Sequence, residues 1–211
     1  MDINDKHNVL SSIADNMHQC IPSFLAIELG CGLKKNSKYS IGIDALDYPS
    51  VDIVGDVYDV ISAFPACSVD HVYSSHFVEH IQDVPKLLTE LSRIVKPNGL
   101  VEFVAPHFSN PYFYSDPTHK SFFGLYTFLY LANGSPFARQ VPMYGYKPGF
   151  KIVKVDLIFK SNRPFIVRYG IKRLLGAFFN SCNYLKELYE ENLCYIFPCY
   201  EVRYIIQREG L

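Results

Sequence analysis

The segment Phe24-Leu-Ala-Ile-Glu-Leu-Gly-Cys-Gly32 is an apolar run that ends in an acidic residue and a Gly-x-Gly turn. A second apolar run, Ile41-Gly-Ile-Asp44, brings a carboxylate twelve residues after Gly32. Successive apolar runs of this kind are typical of buried parallel strands, and parallel sheets bind ligands at the carboxyl ends of their strands. The pattern predicts an α/β fold in which a backbone-lined cavity and an acidic side chain lie next to each other.

The residue types at this sheet edge fit a nucleoside. Glycine lets a ligand lie against the backbone, and a carboxylate accepts hydrogen bonds from both hydroxyls of a ribose. A dinucleotide site would need a third glycine and an acidic residue about twenty positions further on. Here Lys35 replaces that glycine, and Asp44 comes only fourteen residues after Gly30. The connection at 33–38 is also too short for the helix that binds a pyrophosphate. A phosphate-free nucleoside cofactor is favoured, with an NAD-dependent oxidoreductase as the alternative.

With these motifs the chain resembles the class I SAM-dependent methyltransferases, in particular the methyltransferase type 11 group. Glu28-Leu-Gly-Cys-Gly32 is similar to the first motif of that group, and Gly42-Ile-Asp44 to its ribose-binding motif. Gly55-Asp56-Val57 is similar to the motif of the third strand, which faces the adenine. Further similar segments follow in order at 69–81, 88–99 and 100–106. The resemblance therefore extends from about residue 24 to residue 125.

This resemblance implies a Rossmann-like sheet of seven mostly parallel strands, the last antiparallel, in one domain over residues 1–211. It implies S-adenosyl-L-methionine as the cofactor. The residues that it places in contact with the cofactor, with His76 on the methionine side, are Glu28, Gly30, Cys31, Gly32, Asp44, Ala45, Asp56, Val57 and His76. The aromatic-rich segment 107–150 is too long for an ordinary connection and predicts a lid or substrate insertion, with a helix over about 121–131.

The candidate catalytic residues lie at the start of this insertion. His107 follows the fifth strand directly, and Asp116 and His119 lie three residues apart around Pro117. An alcohol acceptor needs a general base, and a histidine oriented by a carboxylate can act as one near neutral pH. In the alternative interpretation Asp116 only caps a helix that begins near Thr118, and His119 lies on the surface of that helix.

The Asp-Pro-Thr-His segment is also similar to one in methyltransferases of bacterial surface-glycan loci, so we expect in-line O-methylation of a saccharide or another small molecule. A catalytically silent protein of the same fold remains a further alternative, with the insertion as its interface. The formal net charge of −1 gives no basic field for nucleic acid. The N-terminus lacks a signal-peptide pattern, and we expect a cytoplasmic location.

Two further segments allow two interpretations each. His76-Phe-Val-Glu-His80 spells the H-x-x-E-H string of inverted zinc peptidases. Because the string follows a buried strand directly and Pro85 comes soon after it, we expect no metal site there. Segment 163–179 interleaves four cations with large apolar residues. The simpler interpretation is a helix that packs on the core. The other is a peripheral contact with the inner membrane face, which would suit a lipid-linked acceptor.

Overall fold

The computed structural model of the protein describes residues 24–146, 149–161 and 164–210. Its centre is one sheet with the strand order β3-β2-β1-β4-β5-β7-β6. The strands are β1 (Ala26–Leu29), β2 (Ile41–Asp44), β3 (Ile53–Val54), β4 (Val69–Ser75), β5 (Val95–Pro106), β6 (Phe150–Ile158) and β7 (Glu201–Arg208). Strands β1 to β5 pair in parallel, and β7 is antiparallel to both β5 and β6. The predicted Rossmann-like sheet of seven strands is confirmed.

The described helices are α1 (Val57–Ala63), α2 (Val84–Ile94), α3 (Ile166–Phe179) and α4 (Asn183–Asn192). Asp83 caps α2, because its carboxylate accepts a hydrogen bond from the Lys86 amide. The buried face of this helix consists of aliphatic residues at helical spacing, namely Val84, Leu87, Leu88, Leu91 and Ile94. Residues 30–40 between β1 and β2 form turns without a helix, as the short connection predicted.

The segment between β5 and β6 packs tightly on the sheet. The Phe103 ring of β5 stacks on Phe128 at a centroid distance of 4.9 Å, and Tyr204 of β7 packs edge-on against Phe128 at 4.6 Å. The helix predicted over 121–131 is reduced to one short 3₁₀ turn, Thr127–Tyr130. Glu187 of α4 holds this insertion in place. Its carboxylate accepts hydrogen bonds from the backbone amides of Ala138 and Arg139 and from the Tyr126 hydroxyl.

Helix α3 fits the simpler interpretation of segment 163–179 only in part, because Leu175 and Phe179 pack on the core while other apolar residues do not. Only Phe179 of this helix is buried, whereas Ile166, Val167 and Leu174 are 79%, 78% and 73% exposed. The helix ends at Asn180, whose side chain bonds to the backbone of Leu157 in β6. Hydrophobic side chains therefore lie along this helix without a core to cover them. Within the described part of the chain, no helix combines the length and the apolar character that a bilayer crossing requires.

Candidate cofactor and acceptor site

The Gly-x-Gly bend lies at the carboxyl end of β1, as expected. Gly30 and Gly32 have φ angles of +66° and +55°, which glycine adopts at little cost. The amides of Gly30 and Cys31 both donate to the carbonyl oxygen of Ile43, and this bonding fixes the bend against β2. A Cβ built on Gly30 would lie 2.5 Å from the Cβ of Phe77, but one built on Gly32 meets no atom of the described residues within 4 Å. One side of the bend is therefore packed, and the other is open.

Asp44 lies beside the open side of the bend. Its Oδ2 accepts a hydrogen bond from the Gly32 amide at 2.9 Å, and its Oδ1 accepts one from the Leu46 amide at 2.9 Å. A carboxylate offers about four acceptor positions, so two remain for a ribose diol. The open space at Gly32 and the spare acceptor positions of Asp44 fit an adenosyl group without phosphates.

Two of the predicted contact residues turn inwards. The Glu28 carboxylate is buried and accepts the Asn36 amide at 2.8–2.9 Å, so it shapes the turn between β1 and β2. Cys31 is also buried, and a Cβ on Gly42 would lie 2.8 Å from its Sγ. Burial raises the pKa of the Cys31 thiol, and the nearby carboxylate of Asp44 adds to this effect. Both side chains therefore support the bend and do not face its open side.

The remaining predicted contacts follow β2 and β3. Ala45 is exposed directly after Asp44. Asp56 caps α1, because its Oδ1 accepts the Tyr58 amide at 2.9 Å. Asp56 and Val57 line a cavity of about 610 Å³ together with His80. His80 belongs to the turn after β4, so no local sequence pattern indicates that it lines this cavity.

His76 forms an ion pair, which the sequence did not predict. Its Nε2 lies 2.8 Å from Glu201 Oε1 in β7, and its Nδ1 lies 3.5 Å from Glu79 Oε1. The hydrogen bond with Glu201, followed by the contact with Glu79, raises the pKa of His76 to about 9. Lys160 Nζ also bonds to the buried Glu201 carboxylate. At neutral pH His76 is therefore an imidazolium, and its φ of +54° costs about 1–2 kcal/mol that these charge contacts offset.

His107 is fully buried, and both of its ring nitrogens have partners. Nδ1 lies 2.8 Å from Ser109 Oγ, and Nε2 lies 3.0 Å from Glu190 Oε2 in α4. Glu190 also accepts the Leu125 amide at 2.6 Å. This bonding attaches the insertion to α4, and neither ring nitrogen of His107 is left to accept a proton from an acceptor.

His119 has one ring nitrogen bonded and one free. Its Nδ1 lies 2.8 Å from the Phe113 carbonyl oxygen, so this nitrogen donates and Nε2 carries the lone pair. Nε2 faces two carboxylates, Asp116 Oδ2 at 3.7 Å and Glu79 Oε1 at 4.0 Å. Asp116 also caps the following turn, because its Oδ1 accepts hydrogen bonds from the amide and hydroxyl of Thr118. No helix begins at Thr118, and the His119 side chain is only 11% exposed.

Glu79 completes this group. Its carboxylate is buried, and neither oxygen has a hydrogen-bond partner among the described residues. The carbonyl oxygen of Glu79 accepts the amides of Lys120 and Ser121, so the turn after β4 and the insertion are joined. His80 lies across from His119 with a ring centroid distance of 4.9 Å. The H-x-x-E-H string therefore does not act as one unit, since His76 faces Glu201 and His80 faces His119.

One known protein family matches part of this chain. Residues 27–103 match the family described as a methyltransferase domain, type 11. No curated protein shows significant sequence similarity to the chain.

Three solved structures share the fold at low identity. A SAM-dependent methyltransferase from Archaeoglobus fulgidus has a TM-score of 0.58 and 17% identity, over 96% of this chain and 94% of that one. Phosphoethanolamine N-methyltransferase 2 from Haemonchus contortus, in complex with S-adenosyl-L-methionine, has a TM-score of 0.54 and 16% identity, over 97% of this chain and 53% of that one. A putative methyltransferase from Haloferax volcanii, in complex with the activator Trm112, has a TM-score of 0.52 and 14% identity, over 99% and 95%. The match identifies residues 27–103 as a methyltransferase domain, and the structural comparisons show the fold of SAM-dependent methyltransferases; together they indicate S-adenosyl-L-methionine as the cofactor.

Proposed function

We propose that the protein transfers the methyl group of S-adenosyl-L-methionine to a hydroxyl oxygen of a saccharide or another small molecule. The observation that carries this proposal is the free Nε2 of His119, held next to the buried Glu79 carboxylate. Phe77 connects this pair to the cofactor bend, because it precedes the Glu79 turn and packs directly on Gly30. We infer from this contact that the acceptor site and the cofactor site adjoin at the ends of β1 and β4.

In this mechanism the bound cofactor supplies an activated methyl group. Asp44 and the open side of the Gly32 bend would hold the ribose, and Asp56 would contact the adenine. The carbonyl oxygen of Phe113 fixes the tautomer of His119, so that Nε2 can accept the proton of the acceptor hydroxyl. Asp116 Oδ2, at 3.7 Å, stabilises the resulting imidazolium. A general base of this kind contributes about 10²–10⁴-fold to a rate.

Methyl transfer can be tested on mixtures that contain many candidate acceptors. Purified protein is incubated with methyl-labelled S-adenosyl-L-methionine and fractionated saccharides, lipid-linked saccharides and other small molecules. We expect label in a hydroxyl-bearing fraction and a loss of about 10²-fold or more in His119→Gln. His71→Gln is the control, since His71 lies in β4 outside the site. Both variants should keep their affinity for S-adenosylhomocysteine.

Two results would contradict the proposal. Unchanged transfer in His119→Gln would remove this residue from the mechanism. Binding of S-adenosylhomocysteine without transfer to any fraction would favour the catalytically silent alternative. The NAD-dependent alternative makes a separate prediction, because it requires that NADH binds and S-adenosylhomocysteine does not.

We further propose that α3 places a cytoplasmic protein on the anionic inner face of the membrane, where a lipid-linked acceptor is available. Val167, Ile171, Leu174 and Phe178 form one exposed apolar stripe at helical spacing. Segment 160–186 contains six Lys and Arg residues and no Asp or Glu. A basic, apolar and uncovered helix is suited to an anionic lipid surface. Four of the cations also line a cavity of about 750 Å³ next to α3, namely Lys160, Arg168, Lys172 and Arg173.

Vesicle flotation tests this contact. The three basic side chains of α3 are Arg168, Lys172 and Arg173. Three such side chains near an anionic surface contribute about 3 kcal/mol, which is roughly a 100-fold preference over neutral vesicles. The parent protein should float with phosphatidylglycerol vesicles and not with pure phosphatidylcholine vesicles. Val167→Asp combined with Leu174→Asp should abolish flotation. Val153→Asp, at an exposed apolar position of β6, should leave it unchanged. Equal flotation with both lipids, or none with either, would refute the contact.

A further inference from the structure

We propose that Glu79, His80 and His119 bind one divalent transition-metal cation. One potential ligand atom from each of these side chains lies within 4.8 Å of the other two. This inference deepens the proposed function and rests on it in one respect, since the cation would act on the acceptor hydroxyl. It replaces the expectation that the H-x-x-E-H string holds no metal, because His119 supplies a ligand from a distant segment.

The hydrogen bonds of both histidines leave the required lone pairs free. His119 Nδ1 donates to the Phe113 carbonyl oxygen at 2.8 Å. His80 Nδ1 lies 2.9 Å from Thr118 Oγ1, whose own proton is directed to Asp116 Oδ1 at 2.6 Å. Because Thr118 Oγ1 therefore accepts, His80 Nδ1 is a donor as well. Each Nε2 then carries its lone pair, and metal-binding histidines are oriented by this kind of outer hydrogen bond.

The carboxylate of Glu79 points to the same conclusion. Glu79 is fully buried, and neither of its carboxylate oxygens has a hydrogen-bond partner among the described residues. A buried carboxylate without a partner costs several kcal/mol unless a cation compensates it. The His76 ring lies 3.5 Å from Glu79 Oε1 through Nδ1, beyond hydrogen-bond distance, and that ring makes its shorter contact with Glu201. Glu79 therefore retains acceptor capacity on the side of His80 and His119.

Two imidazoles and one carboxylate suit a borderline cation such as Zn²⁺, Co²⁺ or Fe²⁺. Such a cation binds nitrogen and oxygen ligands at about 2.0–2.2 Å, so ligand atoms in one tetrahedral shell lie about 3.4 Å apart. The 4.0 Å between Glu79 Oε1 and His119 Nε2 would need to close by about 0.6 Å, and any pair at the 4.8 Å limit of the cluster by about 1.4 Å. Three protein ligands leave a position open, which is the arrangement of catalytic sites and not of structural ones.

An open coordination position gives the cation a role in the proposed reaction. A hydroxyl bound there would become more acidic, because the cation would stabilise the alkoxide, and its proton would be released to solvent. His119 would then act on the acceptor through the cation, and no longer by accepting the proton itself. The two roles of His119 are therefore distinguished by metal removal.

The test uses the full chain, stripped with a chelator and titrated with Co²⁺, which reports its ligand geometry by visible absorption. We expect one Co²⁺ per chain. Glu79→Gln, His80→Gln and His119→Gln should each weaken binding by about 100-fold or more. Thr118→Val, which removes the outer hydrogen bond to His80 together with the hydroxyl bond to Asp116, should weaken it by about 10–100-fold. His71→Gln, the same substitution outside the cluster, should bind Co²⁺ as the parent does.

Thermal unfolding without metal checks that each variant folds. Failure of the stripped parent to bind Co²⁺, or equal binding by the parent and all three ligand variants, would overturn the site. Methyl transfer that continues in chelator without Co²⁺ binding would overturn the site and leave the proposed function standing. Binding of Co²⁺ that depends on the three ligands, without methyl transfer to any acceptor, would support the site and count against the proposed function.

Discussion

Alanine substitutions at Gly30 and Gly32 can separate the contribution of the bend to protein stability from its contribution to cofactor binding. Both residues have positive φ, so alanine at either position costs about 1–2 kcal/mol. At Gly30 the added methyl group would also lie 2.5 Å from the Cβ of Phe77, and such overpacking adds about 1–3 kcal/mol. A methyl group added at Gly32 meets no atom within 4 Å in the part of the chain that the structure describes. Gly30→Ala should therefore lower the free energy of unfolding by about 2–5 kcal/mol, and Gly32→Ala by only about 1–2 kcal/mol.

The order should reverse for cofactor affinity. In Gly32→Ala the new methyl group occupies the open side of the bend, where the adenosyl group would lie. We expect S-adenosylhomocysteine to bind at least about tenfold more weakly, a loss of about 1.4 kcal/mol. Urea unfolding, followed by circular dichroism, measures the free energy of unfolding. Titration calorimetry measures the affinity for S-adenosylhomocysteine. Each alanine variant is the matched control for the other.

Either of two results would refute this reasoning. Equal losses of stability in the two variants would mean that Phe77 does not close the packed side of Gly30. Undiminished affinity for S-adenosylhomocysteine in Gly32→Ala would mean that the cofactor does not lie over the open side.

Two further predictions concern carboxylates. Asp44→Asn should weaken S-adenosylhomocysteine binding by about 1–3 kcal/mol in calorimetry, because one acceptor for the ribose is lost; unchanged affinity would remove Asp44 from the site. Burial by itself raises the pKa of Glu187. The hydrogen bonds that its carboxylate accepts from the amides of Arg139 and Ala138 and from the Tyr126 hydroxyl lower this pKa by more than burial raises it, so the net shift is downwards. Its contribution to stability is therefore complete above its usual pKa and is lost as the pH falls through the lower folded value. Urea midpoints from about pH 7 to about pH 3 should fall less in Glu187→Gln than in the parent, and equal slopes would contradict this assignment.

The glycine bend and the carboxylate beside it could be predicted from sequence because their requirements are local. A bend that needs positive φ selects glycine, and the strand before it selects apolar residues, so Gly30 and Gly32 stand out along the chain. Asp44 follows the next apolar run, and parallel pairing then places it beside the bend. Asp83 and the periodic leucines of α2 are local signals of the same kind.

The directions in which the side chains point could not be predicted from local sequence signals. Glu28 and Cys31 occupy motif positions, yet they turn towards the β1–β2 connection and not towards the open bend. His107 follows β5 as predicted, but α4 supplies Glu190 as a partner that no local pattern indicates. The left-handed backbone of His76 turns this ring to Glu201, which is 125 residues away in the chain. These outcomes depend on contacts between distant segments.

By itself, the sequence determined the order of strands and turns, the position of the glycine bend and the carboxylate beside it, because backbone conformation and apolar periodicity are encoded within a few residues. Only the tertiary structure decided that His119 meets Glu79 and His80, and that α3 has no core to cover its apolar stripe. The physical reason is the same in both cases. Periodicity shows which face of a segment is apolar or which side chains can bind, but the packing of remote segments decides what each of them meets.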